Sequence, residues 1–229
     1  MREIVLDTET TGLEVRDGHR IIEIGGVELV NHIPSGNNFH VYINPERQVD
    51  AGALDVHGLS NEFLADKPLF AAIAEDFVAF IEDAVLIIHN ASFDIGFLNA
   101  ELDRLGHPPI PDEQVIDTLR IARQRHPMGP NNLDALCRRY NVDNSKRDKH
   151  GALLDAELLA DVYIELIGAR EPHLTLIEES TSRSAAAVRR APVKARPAPL
   201  PPRISEAERA AHERFVETLG ETAIWKNLA

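Results

Sequence analysis

Two carboxylates, Asp7 and Glu9, stand at the end of an apolar run, Ile4-Val5-Leu6. In an extended strand alternate residues share a face, so both acids point the same way. Two like charges held a few ångströms apart call for a cation, and oxygen-only donors suit Mg²⁺ or Mn²⁺ better than zinc, which prefers His and Cys. An acidic strand end running into a Thr-Thr-Gly turn also occurs without a ligand, and Asp-x-Glu alone is a weak motif. Three further groups could complete a site. Asp94 falls in the first turn of a helix after Asn90-Ala91-Ser92-Phe93, where the helix dipole favours a carboxylate with or without metal. Asp155 comes early in a long helix and is shielded by Leu153, Leu154 and Leu158. His150 lies five residues earlier; on one regular helix it would be turned about 140° from Asp155, which places it in the loop before Gly151, free to swing over the site.

These groups need a scaffold. Residues 21–30 and 39–43 are β-branched or aromatic runs separated by the turn cluster Pro34-Ser35-Gly36-Asn37, so three opening strands form an antiparallel meander. The stretch 50–66 is irregular, with Val56-His57-Gly58 expected in a loop. Phe70, Ile73, Phe77 and Phe80 recur at helical spacing over residues 69–81. Val85-Leu86-Ile87-Ile88 reads as a central strand covered on both faces. Ser92 can cap a helix over 93–105 that Gly106 and Pro108-Pro109 end. Val115-Ile116 is a fifth strand, followed by helices over 117–125, 132–140 and 151–167. Asp117 suits a helix cap and His89 a satisfied strand-end histidine; His40, His107, His126 and His212 show no ligand spacing. Three strands followed by helix–strand alternation predict an α/β domain, a mixed five-stranded sheet flanked by helices.

Composition narrows the function classes. The 229 residues are 44% hydrophobic and 27% charged, enough for one buried domain with appendages. The single cysteine, Cys137, excludes an intramolecular disulfide and a CxxC zinc site and has the neighbours of a helical core position. No apolar run approaches the roughly 20 residues that span a bilayer, and the first residues enter a strand, so the expected setting is the cytoplasm, with no membrane partner. The net charge of −13 argues against a general basic surface for nucleic acid. Six basic residues and no acid lie between Arg183 and Arg203, which leaves −19 on the remainder. A phosphate backbone would be repelled there unless metal ions mediate the contact.

Beyond Gly168 the character changes. We expect a domain over 1–170, a short peptide over 171–178, a linker over 179–203 and a helical segment over 204–229. The linker is rich in Ser, Ala, Arg and Pro. Ser205 with Glu208 forms a capping-box pattern before Ala207, Ala211, Phe215 and Leu219 at spacing four, with Trp225 beyond.

Asp7, Glu9, Asp94 and Asp155 with His150, the last pair as His-x-x-x-x-Asp, resemble the DEDDh group of 3′-to-5′ exonucleases, whose domain is ribonuclease H-like. The resemblance covers roughly residues 1–168 and is strongest with members that proofread for a replicative DNA polymerase. It is carried by Leu6-Asp7-Thr8-Glu9-Thr10-Thr11-Gly12, Val56-His57-Gly58, His89-Asn90 and Asp143-Asn144-Ser145-Lys146-Arg147. It implies two divalent cations, Mg²⁺ or Mn²⁺, held by Asp7, Glu9, Asp94 and Asp155, with His150 as general base. It also implies that Thr10, Gly12, Leu13, Val56, His57, Asn90 and Phe93 hold the terminal nucleotide of a DNA 3′ end. Ala51-Gly52-Ala53 departs from the pattern by lacking an acid that some relatives carry there, which removes a polar contact to the last sugar. His173, Leu174, Leu176 and Ile177 resemble the peptide by which replication proteins bind the sliding clamp, with His for Gln and Ile for Phe. The terminal helix with Phe215 and Trp225 would tether a polymerase subunit. RNA end trimming and a non-catalytic adaptor role remain as alternatives; an Asp-x-Asp phosphatase is disfavoured because the second acid is Glu9.

Overall fold

The computed structural model describes residues 1–169 and 204–219. The chain divides into two units, Met1–Leu174 and Thr175–Ala229. The first contains β1 (Arg2–Thr10), β2 (Ile21–Val30), β3 (Ile33–Tyr42), α1 (Ala51–His57), α2 (Asn61–Leu64), α3 (Phe70–Ile81), β4 (Val85–Ile88), α4 (Ser92–Arg104), β5 (Val115–Asp117), α5 (Thr118–Arg125), α6 (Leu133–Tyr140) and α7 (Ala152–Leu166). The five strands form one sheet in the order β3-β2-β1-β4-β5. The β1–β2 and β2–β3 pairs are antiparallel and the β1–β4 and β4–β5 pairs parallel, so the mixed α/β sheet matches the expectation.

Alternation along β1 sorts its side chains between two cores. Ile4 and Leu6 pack with Phe77 of α3 and with Phe97 and Leu98 of α4. Val5 faces the other way, onto Leu159 and Tyr163 of α7. Phe77 and Leu98 are fully buried, and burying such a side chain contributes about 1.5–3 kcal/mol. Since Glu3, Asp7 and Glu9 share the parity of Val5, they belong to the α7 side.

Local chemistry explains most of the boundaries. Asp117 caps α5 by accepting the Leu119 N–H, and Asn132 caps α6 by accepting the Ala135 N–H. Gly58 and Gly106 take positive φ just beyond α1 and α4. Cys137 is buried in α6, as expected. Three expectations are corrected. The turn between β2 and β3 falls at Asn31-His32, both at positive φ, and Pro34-Ser35-Gly36-Asn37 lies within β3. That strand is at the sheet edge and largely exposed there, where proline and glycine are tolerated. Val56 and His57 close a two-turn helix instead of lying in a loop. Ser92 is the first helical residue of α4, and the capping position is Ala91, without a side-chain cap.

The second unit's described residues form α8 (Glu206–Thr218), whose start carries the expected capping box between Ser205 and Glu208. Among the described residues, no helix is long and apolar enough to cross a membrane. His173, Leu174, Leu176, Ile177 and Trp225 lie outside them.

Candidate active site

The site forms where β1 outruns its parallel neighbour. The β1–β4 pairing ends at Val5 with Ile87, so Asp7 and Glu9 stand beyond it. The chain leaving β4 turns at Asn90, with φ 65°, and enters α4, whose first turn carries Asp94. Asp94 Oδ1 accepts the Thr8 N–H (3.1 Å) and the Thr8 hydroxyl (2.7 Å), which docks α4 onto the end of β1. From the opposite face, the start of α7 comes down on Gly25, the β2 partner of Asp7. A Cβ at Gly25 would stand 2.2 Å from the backbone of Ala152 and Leu153, so only glycine permits this approach. Asp155, in the first turn of α7, is thereby buried beside the β1 acids.

Glu9, His150 and Asp155 each place a ligand-type atom within 4.8 Å of the others. His150 sits in the loop ahead of α7, half-exposed, with Nδ1 3.4 Å from Asp155 Oδ2. Its loop is held to α1 by its own N–H, which donates to the Val56 carbonyl (3.2 Å), and by Lys149 Nζ on the Asp55 carbonyl. Arg147 makes a forked contact with Asp155, Nε to Oδ1 at 2.5 Å and Nη2 to Oδ2 at 2.6 Å, and reaches Asp134 Oδ1 at 2.9 Å. Its Nη2 is also 2.9 Å from His150 Nδ1.

Arg147 is the cation of the cluster, and it is committed to Asp155 and Asp134. Burial first, then Asp94, Glu9 and Asp155, hold the Asp7 carboxyl well above the usual range. Burial and the nearby Asp155 and Glu23 push Glu9 up to about 8. Burial raises Asp94 to about 7 against its hydrogen bonds from Thr8. Burial and the Arg147 charge lower the His150 pKa. Asp7, Glu9 and Asp94, buried carboxyls that repel one another, present only oxygen donors and make no lysine or arginine ion pair among the described residues, fit divalent cations.

Beside the acids opens a cavity of about 570 Å³. Thr10, Gly12, Leu13, Val56 and His57 line it together with Glu9. Leu13 is 79% exposed and Val56 45% exposed, two apolar side chains left facing solvent at its walls. Thr10 Oγ1 donates to the Gly12 carbonyl (2.7 Å), shaping the turn after β1. His57 Nδ1 accepts the Leu59 N–H (2.9 Å), while its buried Nε2 has no hydrogen-bond partner among the described residues. Asn90 and Phe93 do not line this cavity. Asn90 is exposed at a separate one, and Phe93 packs against Phe97, with ring centroids 5.0 Å apart.

Sequence reasoning missed His19, Asp50 and Arg147. His19 lies under Gly12, Nδ1 3.0 Å from the Thr11 hydroxyl and Nε2 3.5 Å from Asp50 Oδ2. Asp50, one residue before Ala51-Gly52-Ala53, lines the cavity and supplies a carboxylate that those three positions lack. Arg147 stood in a quoted motif, but nothing in spacing alone tied it to Asp134 and Asp155.

The exonuclease family profile matches residues 4–163. The DNA polymerase III subunit epsilon of Rickettsia felis is 49% identical over 226 residues, covering 97% of this chain and 99% of that protein. The Escherichia coli K12 protein of the same name is 50% identical over 190 residues, 80% of this chain and 78% of that one. Among solved structures, exonuclease X in complex with 5′ overhanging duplex DNA superposes with TM-score 0.57 at 25% identity, over 73% of this chain and 92% of that one. Exonuclease I shares the fold, with TM-score 0.65 at 18% identity over 75% of this chain and 41% of that one. With most of the first unit inside the family profile and full-length relatives at close to half identity, the chain belongs to the exonuclease family and groups there with the epsilon subunits of DNA polymerase III.

Proposed function

We propose that this 3′-to-5′ exonuclease hydrolyses the 3′-terminal nucleotide of DNA and so proofreads for the replicative DNA polymerase. The observation that carries the reading is the meeting of Glu9, Asp155 and His150 within 4.8 Å, with Glu9 also lining a nucleotide-sized cavity. Asp7, Glu9, Asp94 and Asp155 would hold two divalent cations, Mg²⁺ or Mn²⁺, which would supply Lewis acidity toward water and the phosphate oxygens.

The chain's own residues do the rest. The terminal base lies between Leu13 and Val56, and the sugar lies toward His57 and Asp50. Asn90 and Phe93 act from the far side, where the next nucleotide leaves. His150, an imidazole suited to proton transfer near neutral pH, takes the proton of the water that attacks phosphorus. The bond from phosphorus to the 3′ oxygen breaks, the departing oxygen takes a proton from solvent as His150 returns its own to solvent, and the products are a nucleoside 5′-monophosphate and a new 3′-hydroxyl. A mispaired end unstacks at lower cost, which gives selectivity without base-specific contacts.

Residues 1–170 form the nuclease domain in this reading. Residues 171–178 present His173, Leu174, Leu176 and Ile177 to the sliding clamp, and residues 179–203 link them to the segment 204–229. That segment, with Phe215 60% exposed on α8 and Trp225 beyond it, binds the alpha subunit of DNA polymerase III. The relatives' role in replication and the absence of a membrane-spanning helix among the described residues support a cytoplasmic setting. Digestion of matched DNA and RNA oligonucleotides with Mg²⁺, Mn²⁺ or chelator tests the reading. Stepwise loss of 3′ nucleotides from DNA only with metal is expected. Persistent cleavage in chelator, or faster trimming of RNA, would overturn it.

A further inference from the structure

The acidic first unit contains one strongly basic stretch that the exonuclease site does not use. Residues 118–140, which make up α5, α6 and the loop between them, carry five arginines against a single acid, Asp134. That acid is itself taken by Arg147. Arginines elsewhere in the unit are largely neutralised: Arg2 by Glu28, Arg20 and Arg104 by Glu101, Arg147 by Asp155. On α5 and α6 the pattern is different. Arg120 and Arg123, one turn apart on α5, are exposed and make no hydrogen bond or ion pair among the described residues. Arg139 donates only to neutral oxygens, the Asn131 side chain and the Pro130 carbonyl, so its charge is not cancelled.

Of these arginines, Arg123 lines a second cavity of about 520 Å³, together with His89, Asn90, Leu119, Asn131 and Asn132 among others. Arg139 sits directly over Gly129 in its wall, where a Cβ would meet the guanidinium at 2.4 Å. The cavity opens at the ends of β4, the neighbour of β1 in the sheet, and β5, the strand beyond it. It is therefore displaced from the acid cluster by one to two strand spacings, about 5–10 Å. Asp117, whose Oδ1 accepts the N–H groups of Asn90 and Leu119, keeps its charge at the edge of the patch and acts on His89 in the sense opposite to Arg123. Asn90 and Asn132 leave side-chain amide donors uncommitted among the described residues, and no Phe, Tyr or Trp lines the cavity.

Exposed guanidinium groups beside amide donors suit phosphodiester oxygens. We propose that α5 and the 129–132 loop are a phosphate-holding track for the DNA strand behind the terminal nucleotide, the strand passing from the acid cluster over Asn90 to Arg123, Arg120 and Arg139. The proposal rests on the exonuclease reading. It removes the need for metal ions to supply the whole grip on the backbone of an acidic protein.

The test uses the full chain and the R120Q/R123Q variant, whose exposed positions leave the fold intact. Binding of 5′-labelled (dT)12 is followed by anisotropy in chelator across a NaCl series. The variant is expected to bind about 10-fold more weakly, with a log–log salt slope shallower by about 1.4, as for two lost single-strand phosphate contacts. Separately, with Mg²⁺, cleavage of the p-nitrophenyl ester of thymidine 5′-monophosphate, which offers no strand behind the terminal nucleotide, is expected to stay at the wild-type rate. Equal affinity and slope for the two proteins would overturn the track, as would equal losses on the ester and on (dT)12. An R120Q/R123Q protein that binds DNA normally and loses affinity for the polymerase subunit would overturn it too, assigning the patch to an acidic protein surface. Wild-type chain that binds (dT)12 through these arginines and cleaves nothing would keep the track and defeat the exonuclease reading instead.

Discussion

The two ends of β1 each bury acid on the same face of the sheet, and they treat it in opposite ways. At the amino-terminal end Glu3 is fully buried and provided for by the chain. Tyr163 donates its hydroxyl to Oε1 (2.9 Å), and the His32 backbone N–H donates to Oε2 (3.3 Å). At the carboxy-terminal end Asp7 and Glu9 face Asp94 and Asp155, and their pKa values are raised by burial and mutual repulsion. A buried polar group is tolerated when its partners are built in. The first end is therefore architecture, and the second is unfinished without a ligand.

The sharpest way to break this contrast is Asp7→Ala. Removing a group that acts on transition-state charge is expected to cut single-turnover cleavage by about 10³-fold or more. The same change should leave the melting temperature in chelator no lower than wild type, because it relieves repulsion. It should also shrink the rise in melting temperature that the wild type shows with Mn²⁺, a rise worth about 2.7 kcal/mol at 100 times Kd. A variant that melts well below wild type in chelator would make Asp7 structural after all.

His150→Gln separates proton transfer from metal holding. Loss of a general base costs about 10²–10⁴-fold in kcat, while most of the Mn²⁺-dependent stabilisation should survive in calorimetric scans. Gly25→Ala probes how the acids are brought together. The added methyl collides with the α7 backbone, so a stability loss of about 1–3 kcal/mol in urea melts is expected. A fall of about 100-fold in cleavage should accompany it, as displacement of a catalytic group by about 1 Å can produce. Tyr163→Phe tests the opposite end and should have the smallest functional effect. It strips one donor from a buried carboxylate, costing about 1–3 kcal/mol of stability, with kcat unchanged. Lost activity in a fully folded Tyr163→Phe protein would erase the distinction between the two ends.

The sequence revealed residues whose chemistry is local and concealed those whose role depends on distant neighbours. Asp7, Glu9, Asp94, Asp155 and His150 could be named because strand parity, a helix start and a His-x-x-x-x-Asp spacing are properties of short segments. The cap Asp117 was legible for the same reason. The helix Ala51–His57 was not, since two turns show little periodicity. The turn at Asn31-His32 was hidden by Pro34 and Gly36, stronger local signals that an edge strand absorbs. Glu3 attracted no attention, because its partners lie 29 and 160 residues away. Summing charge over the whole chain also concealed the arginines of α5 and α6, whose effect depends on where the acids are not.

Tyr163 and Asp155 belong to one helix, and Glu3 and Asp7 to one strand, running in opposite directions. Eight helical residues advance about 12 Å and four strand residues about 13 Å. The two elements are thus rulers with commensurate marks, read against each other at both ends. One inserted residue in α7 between those marks would rotate one end by about 100° relative to the other, and could satisfy Tyr163 or Asp155 but not both. We expect the spacing from 155 to 163 to tolerate substitution far better than any change of length, which makes the architectural end of β1 the gauge that sets the reach of the chemical end.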